Sequence, residues 1–278
     1  MRYKLLIIIS LALTARNYGQ SARDTLSIPG IDWKCETVSE GITLKSALAN
    51  IFSSTQAIYI ADIDTAASDF EFGVAVPDTL MYTSAIAESE KSLAAINGTF
   101  FNMKEGYNVH YVRVDDSVIA VTDEKEFGIR ATGVFTADGE TTDIVSWGPE
   151  REDAAGTDAE DAIVSGPLLT NDDADKELAA NSFNMTRHPR SLVGATHDGH
   201  ILFIVVDGRQ PGYADGMSLF ELRALARSLG CTDALNLDGG GSSTLYIKGQ
   251  GDVGVVNRPS GKTERPVPSI IFVRKANH

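Results

Sequence analysis

The chain has 278 residues, 24 of them basic and 38 acidic, with a formal net charge of −14 at pH 7. That balance argues against nucleic acid as a partner, because phosphate-backbone binding draws on clustered lysine and arginine. Cys35 and Cys231 are the only cysteines, and neither has the ligand spacing of a zinc site. Two readings stand: in an oxidising compartment they could pair and tie the N-terminal segment to the end of a helix, or they are two free, buried thiols, since spacing alone does not bring them together.

Residues 1–20 read as a secretory signal. Arg2 and Lys4 precede an apolar run over 5–13, and a polar stretch comes next at Arg16-Asn17. The run is too short to cross a bilayer. The expectation is a periplasmic or extracellular protein whose remainder, 21–278, forms a single domain with no membrane span.

Strand signals dominate the rest of the chain. Residues 57–63 and 70–76 read as strands, the first largely buried. Residues 83–92 read as a short helix feeding a strand over 93–101. A hairpin over 109–121 turns at Asp115-Asp116. Strands over 127–136 and 142–147 flank an Asp-Gly turn at Asp138-Gly139. Strands over 191–196 and 200–206 flank another at Asp198-Gly199. The acidic stretches 150–160 and 171–184 read as solvated surface loops. One helix is well marked: Ser218 and Glu221 form a capping box. Phe220, Leu222, Leu225, Ala226 and Leu229 give it an apolar face, and Gly230 ends it. A strand over 233–237, a glycine loop and a strand over 244–248 come next. The expected fold class is α+β, a mixed and mostly antiparallel sheet with a few packed helices.

Polar residues collect at the ends of these apolar strands. They are Asn97-Gly98-Thr99-Phe100-Phe101-Asn102, Arg187-His188-Pro189-Arg190-Ser191, Asp207-Gly208-Arg209, and Asp238-Gly239-Gly240-Gly241-Ser242-Ser243. The glycine loop is not a nucleotide P-loop: it lacks the Gly-Lys-Ser/Thr ending and precedes a strand, so no helix N-terminus faces a phosphate. For the same reason it is not a dinucleotide fingerprint, and no Gly-x-Ser-x-Gly elbow is present. Its amides and hydroxyls suit an anionic or polyhydroxylated ligand. Arg190 and Arg209 are candidates for a bidentate grip on phosphate or carboxylate, or else for ion pairs with Asp207 or Asp238. Those two aspartates can act as the carboxylate pair that glycosyl transfer to water uses. His188 and His197 have no partner at metal-ligand spacing, and His110 and His200 read as structural.

In chain order these clusters resemble the phosphodiester glycosidase family. The resemblance is carried by Ala95-Ile96-Asn97-Gly98-Thr99-Phe100-Phe101, His188-Pro189-Arg190-Ser191 and Val206-Asp207-Gly208-Arg209. It continues through 218–226 and 236–243, Val256-Asn257-Arg258-Pro259-Ser260 and Arg265-Pro266-Val267-Pro268, covering about residues 56–275. Thr99 departs from a usual glycine and Ser191 from a common threonine. The resemblance implies hydrolysis of a sugar-1-phosphodiester of the N-acetylglucosamine type, or of a related phosphate-bearing or acidic glycan. It implies Asp207, Asp238, Arg190 and Arg209 as the catalytic group. Asn97, Thr99, Phe100, Gly239, Gly240, Gly241, Ser242, Ser243, Asn257, Ser260 and Arg265 are then the substrate-binding group. No cofactor is implied, and a divalent metal stays open. The partner expected is a carbohydrate or sugar phosphate. Two other readings stand beside this one: a non-catalytic binding protein for a glycan or sugar phosphate, and a metal-dependent phosphoesterase using Asp207 and Asp238 as ligands.

Overall fold

The computed structural model describes residues 28–154 and 156–276, so the expected signal at 1–20 lies outside the described residues. Strands are numbered in chain order. The largest sheet has eight, in the order β1 (Lys34–Ser39), β2 (Ile42–Ile51), β3 (Ser54–Asp64), β14 (His200–Val206), β13 (Arg190–Thr196), β15 (Cys231–Asn236), β11 (Leu168–Asn171) and β12 (Ala174–Asp175). A five-stranded sheet runs β7 (Ser117–Ala120), β6 (Val112–Val114), β10 (Asp161–Ser165), β8 (Gly133–Asp138) and β9 (Thr141–Ser146). A four-stranded sheet runs β16 (Leu245–Ile247), β5 (Ala94–Asn97), β17 (Ile270–Lys275) and β4 (Phe70–Ala75). The helices are α1 (Thr83–Ser89), α2 (Pro149–Ala154), α3 (Ser182–Met185) and α4 (Leu219–Ser228).

The centre of the large sheet is covered on both faces, which explains its unbroken apolar runs. Alternate side chains of a strand point to opposite faces. Ile201, Phe203 and Val205 of β14 therefore enter one core, with Phe72, Ile96, Phe135 and Val273 of the smaller sheets. Leu202, Ile204 and Val206 enter a second core, under Leu222, Leu225 and Ala226 of α4. α4 starts at the capping box read from the sequence: the Glu221 amide donates to Ser218 Oγ, and the Ser218 amide donates to Glu221. Gly230 follows its end at φ +88°, the left-handed geometry glycine adopts without a Cβ penalty.

Several expectations are corrected. The mostly antiparallel sheet with a few helices holds, but among the described residues the strands form three sheets and every ladder between named strands is antiparallel, so the sheet is not mixed. The strand expected over 127–136 begins only at Gly133, because the amides of Ile129, Arg130 and Ala131 all donate to the Glu126 carbonyl and wind that stretch into turns. The strand expected over 93–101 stops at Asn97. The stretches read as loops contain α2, β12 and α3. Of the two readings of the cysteines the unbridged one holds, with Cys231 buried as expected and Cys35 exposed instead. Four strands separate β1 from β15, roughly 24 Å at the usual inter-strand spacing, far beyond disulfide reach.

Candidate active site

Four strand ends meet at one edge. Arg190 pairs with Val206 across β13 and β14, and Leu192 pairs with Asn236 across β13 and β15. This puts Arg190, Asp207 and the glycine loop side by side. β5 of the small sheet meets them through Asn97, which is fully buried. Its Nδ2 donates to the Asp238 carbonyl at 2.7 Å, and its Oδ1 accepts from Ser191 Oγ at 2.7 Å and the Thr244 amide at 3.1 Å. Asn97 thus joins two sheets and fixes the loop from behind, with both ends of its amide occupied by protein.

The three glycines have separate reasons. A Cβ at Gly239 would stand 2.6 Å from the Pro189 carbonyl, and Gly240 holds φ +64° while its amide donates to that same carbonyl. A Cβ at Gly241 would collide with the Arg265 guanidinium. The loop closes as a 3-10 turn, Gly240–Ser242. The buried Ser242, Ser243 and Thr244 hydroxyls and the Asn236 side-chain oxygen have no hydrogen-bond partner among the described residues. Buried polar atoms are rarely left so; here four fall on the loop that carries one carboxylate and on its flanks.

That carboxylate is Asp238. It is walled in by protein yet keeps a solvent-accessible face. Burial pushes it up to about 6, against the opposing pull of the nearby Ser242 hydroxyl and the charges of Arg265 and Arg130. Ser242 Oγ is close enough to act on it electrostatically without forming a bond of normal geometry. Two guanidinium groups flank the loop, Arg209 against Gly240 and Arg265 against Gly241. Neither forms an ion pair among the described residues. Arg209 is exposed at φ +57° and donates to His188 Nδ1 at 3.1 Å. Burial first, then the charges of Arg209 and Arg190, hold His188 below its usual range, so its ring is neutral and accepts.

Asp207 and Arg190 are arranged differently. Asp207 is 1% exposed. Its Oδ1 accepts from Asn257 Nδ2 and its Oδ2 from the Arg258 amide, both at 2.9 Å. It too is pushed up to about 6, by burial that outweighs these donors. Asn257 also donates to the Ser243 carbonyl and accepts from the Leu245 amide. Asp207 and Asn257 therefore clasp the strap of residues 257–265, which carries Ser260 half-exposed and Arg265 to the loop. Arg190 pairs with neither aspartate. It lies buried under Phe183, its centre 5.2 Å from that ring, and donates to the carbonyls of Met217, Phe183 and Thr186. Burial lowers it to about 10.

Thr99 and Phe100 belong to a network that the sequence did not reveal. Thr99 Oγ1 bonds His110 Nδ1 at 2.7 Å, and His110 Nε2 faces Glu126 at 3.4 Å. Glu126 takes a bidentate pair from Arg130, whose guanidinium stacks 4.7 Å above the Phe100 ring. His110 is held below its usual range by burial. The one signal that could have found Arg130 is its i, i+4 spacing from Glu126. Among the described residues, no three His, Cys, Asp or Glu side chains gather as a metal site.

A family model described as phosphodiester glycosidase matches residues 90–274. An SPbeta prophage-derived uncharacterized protein of Bacillus subtilis is 34% identical over 87 residues, 31% of this chain and 13% of that protein. The fold is shared with the catalytic domain of zebrafish N-acetylglucosamine-1-phosphodiester alpha-N-acetylglucosaminidase, solved auto-inhibited by its pro-peptide. The TM-score is 0.66 at 15% identity, over 88% of each chain. A hypothetical protein from Synechocystis shares it too, with a TM-score of 0.64 at 16% identity over 87% of this chain and 63% of that one. A putative exported protein of Burkholderia pseudomallei gives 0.57 at 16% identity, over 80% and 74%.

Proposed function

The chain belongs to the phosphodiester glycosidase family, and we propose that it is an exported hydrolase that cleaves the anomeric bond of a sugar-1-phosphodiester of the N-acetylglucosamine type. The carrying observation is that one half-open carboxyl, Asp238, sits on a loop flanked by two cations, Arg209 and Arg265, that have no carboxylate partner among the described residues. The cations neutralise the phosphate, as guanidinium forks do well. The unpartnered Ser242, Ser243 and Thr244 hydroxyls hold sugar or phosphate oxygens. Ionised Asp238 acts as base toward water at the anomeric carbon. The water oxygen bonds to that carbon, its proton passes to Asp238, and the C–O bond to phosphate breaks with the electron pair leaving on the phosphomonoester. A phosphate is a good leaving group, so no strong acid is required. Asp207, with both oxygens occupied, holds the strap.

The test is release of free sugar from an α-linked N-acetylglucosamine 1-phosphodiester by wild type and by Asp238→Asn. Activity should fall roughly a thousandfold or more in the variant, as for loss of a general base with its positioning. Reaction in ¹⁸O-water should put the label on the sugar. Label on the phosphate would replace this reading by a phosphoesterase, and saturable binding without product by a glycan-binding protein.

A further inference from the structure

Glu126, His110 and Arg130 stand beside the proposed site and take no part in the proposed chemistry. Glu126 is 4% exposed, and a carboxylate buried so deeply needs partners. It holds Arg130 twice over. Its carbonyl accepts from the Arg130 amide at 3.0 Å. Its carboxylate oxygens accept from Arg130 Nε at 2.8 Å and Nη2 at 2.7 Å. Paired bonds of this kind fix the orientation of a guanidinium as well as its place. The group lies over Phe100, its central carbon 4.7 Å from the ring centre, with Phe183 at 6.0 Å.

The same carboxylate reaches the preceding residue by a second route. His110 is fully buried, and burial holds its ring below the usual range. A neutral imidazole has one donor and one acceptor. With Nε2 donating to Glu126 at 3.4 Å, Nδ1 accepts from the Thr99 hydroxyl at 2.7 Å. The ring also meets Phe100 edge-on, 5.4 Å between centres. The Glu126 carboxyl is drawn down to about 2, first by the His110 hydrogen bond and, against the cost of burial, by Arg130. Thr99 and Phe100 are thus gripped by two arms that start from one ionised carboxylate.

Those residues continue the strand end that carries Asp238. The Asp238 amide donates to the Gly98 carbonyl at 3.1 Å, and the Asp238 carbonyl accepts from Asn97 Nδ2 at 2.7 Å. The Arg130 charge also acts on Asp238 directly. We infer that Glu126 is a positioning residue for the hydrolysis: through His110 and Thr99, and through Arg130 and Phe100, it holds the segment 97–100 that orients Asp238. The inference rests on the function proposed above. Coulomb attraction barely returns the desolvation cost of an ion pair this deep, so stability alone is a weak reason for it.

Two variants close in shape to the native side chains test this. Glu126→Gln weakens both arms, and Thr99→Val removes one. Amide hydrogen exchange over 236–243 should quicken about tenfold in Glu126→Gln and about threefold in Thr99→Val, while α4 keeps its wild-type rate. On the sugar phosphodiester, kcat should fall by about the same factors, with KM within about twofold of wild type. Adding Thr99→Val to Glu126→Gln should cost under about twofold more, because the arms share an origin. Losses that multiply in the double variant overturn the inference. Unchanged exchange in both variants, faster exchange with unchanged kcat, or a loss confined to KM also overturns it. If Glu126→Gln does not fold, Thr99→Val decides alone. If wild type turns over no sugar phosphodiester, the proposed function fails, and the exchange rates decide whether Glu126 positions the loop.

Discussion

Asp207 and Asp238 look alike in the sequence and differ in the fold. Each follows an apolar strand, each precedes glycine, and burial pushes each carboxyl up to about 6. Asp207 is sealed, with an amide donor on each oxygen. Asp238 keeps a solvent-accessible face and sits among hydroxyls that have no partner. A raised pKa reports burial in both cases. What separates a structural carboxylate from one available for chemistry is whether its lone pairs are already taken.

The sharpest way to break this comparison is to remove each carboxylate in turn. Asp238→Asn should abolish sugar release while leaving the fold as stable as wild type at pH 8, or more stable by ~1 kcal/mol, because an ionised half-buried carboxylate has been removed. Asp207→Ala should do the reverse to stability. It removes the acceptor of the Arg258 amide and one of the two acceptors of Asn257 Nδ2, which keeps the Ser243 carbonyl, at a cost of about 1–3 kcal/mol. Urea denaturation of both variants reads the difference, and a destabilised Asp238→Asn beside an intact Asp207→Ala would invert the assignment.

A pH series has a predicted crossing. Both folded pKa values lie above the ordinary carboxylate value, so the stability these groups contribute is complete below about pH 4 and is lost as pH rises through about 6. Activity that needs ionised Asp238 rises over the same interval. Unfolding free energies and kcat/KM between about pH 4.5 and 7.5 should therefore move in opposite directions. The stability slope should shrink in Asp238→Asn.

Much of the scaffold was legible because its signals are local. The Ser218 and Glu221 capping box and the Asp198-Gly199 hairpin are fixed by neighbours within a few positions and stand where the sequence puts them, and α1 starts at the expected Thr83 though it ends at Ser89, short of the expected 92. The site was legible as a set of strand ends and only partly as chemistry. Asn97 and Asn257 read as substrate contacts, but both amides face protein, which depends on how β5, β14 and β16 meet across two sheets. Arg190 read as an anion grip or ion pair. A short helix, α3, instead turns two carbonyl groups onto it from residues that the sequence presents as a loop. Arg130 carries no motif beyond its four-residue spacing from Glu126. It joins the site because Phe100 and Glu126, 26 positions apart in the chain, happen to frame it in the fold.

The smallest expected effect separates the two cations. Arg209→Ala and Arg265→Ala each remove a charge facing the proposed phosphate, so each should raise KM by about tenfold. Only Arg265 also acts on the catalytic candidate, since its charge holds Asp238 below the value that burial alone would set. Arg209 lowers His188 and Arg190 instead. Arg265→Ala should therefore shift the acid limb of the kcat/KM profile upward in pH, and Arg209→Ala should leave its midpoint in place. Identical profiles in the two variants would mean that the cations serve phosphate alone and that Asp238 is not the group whose ionisation the rate follows.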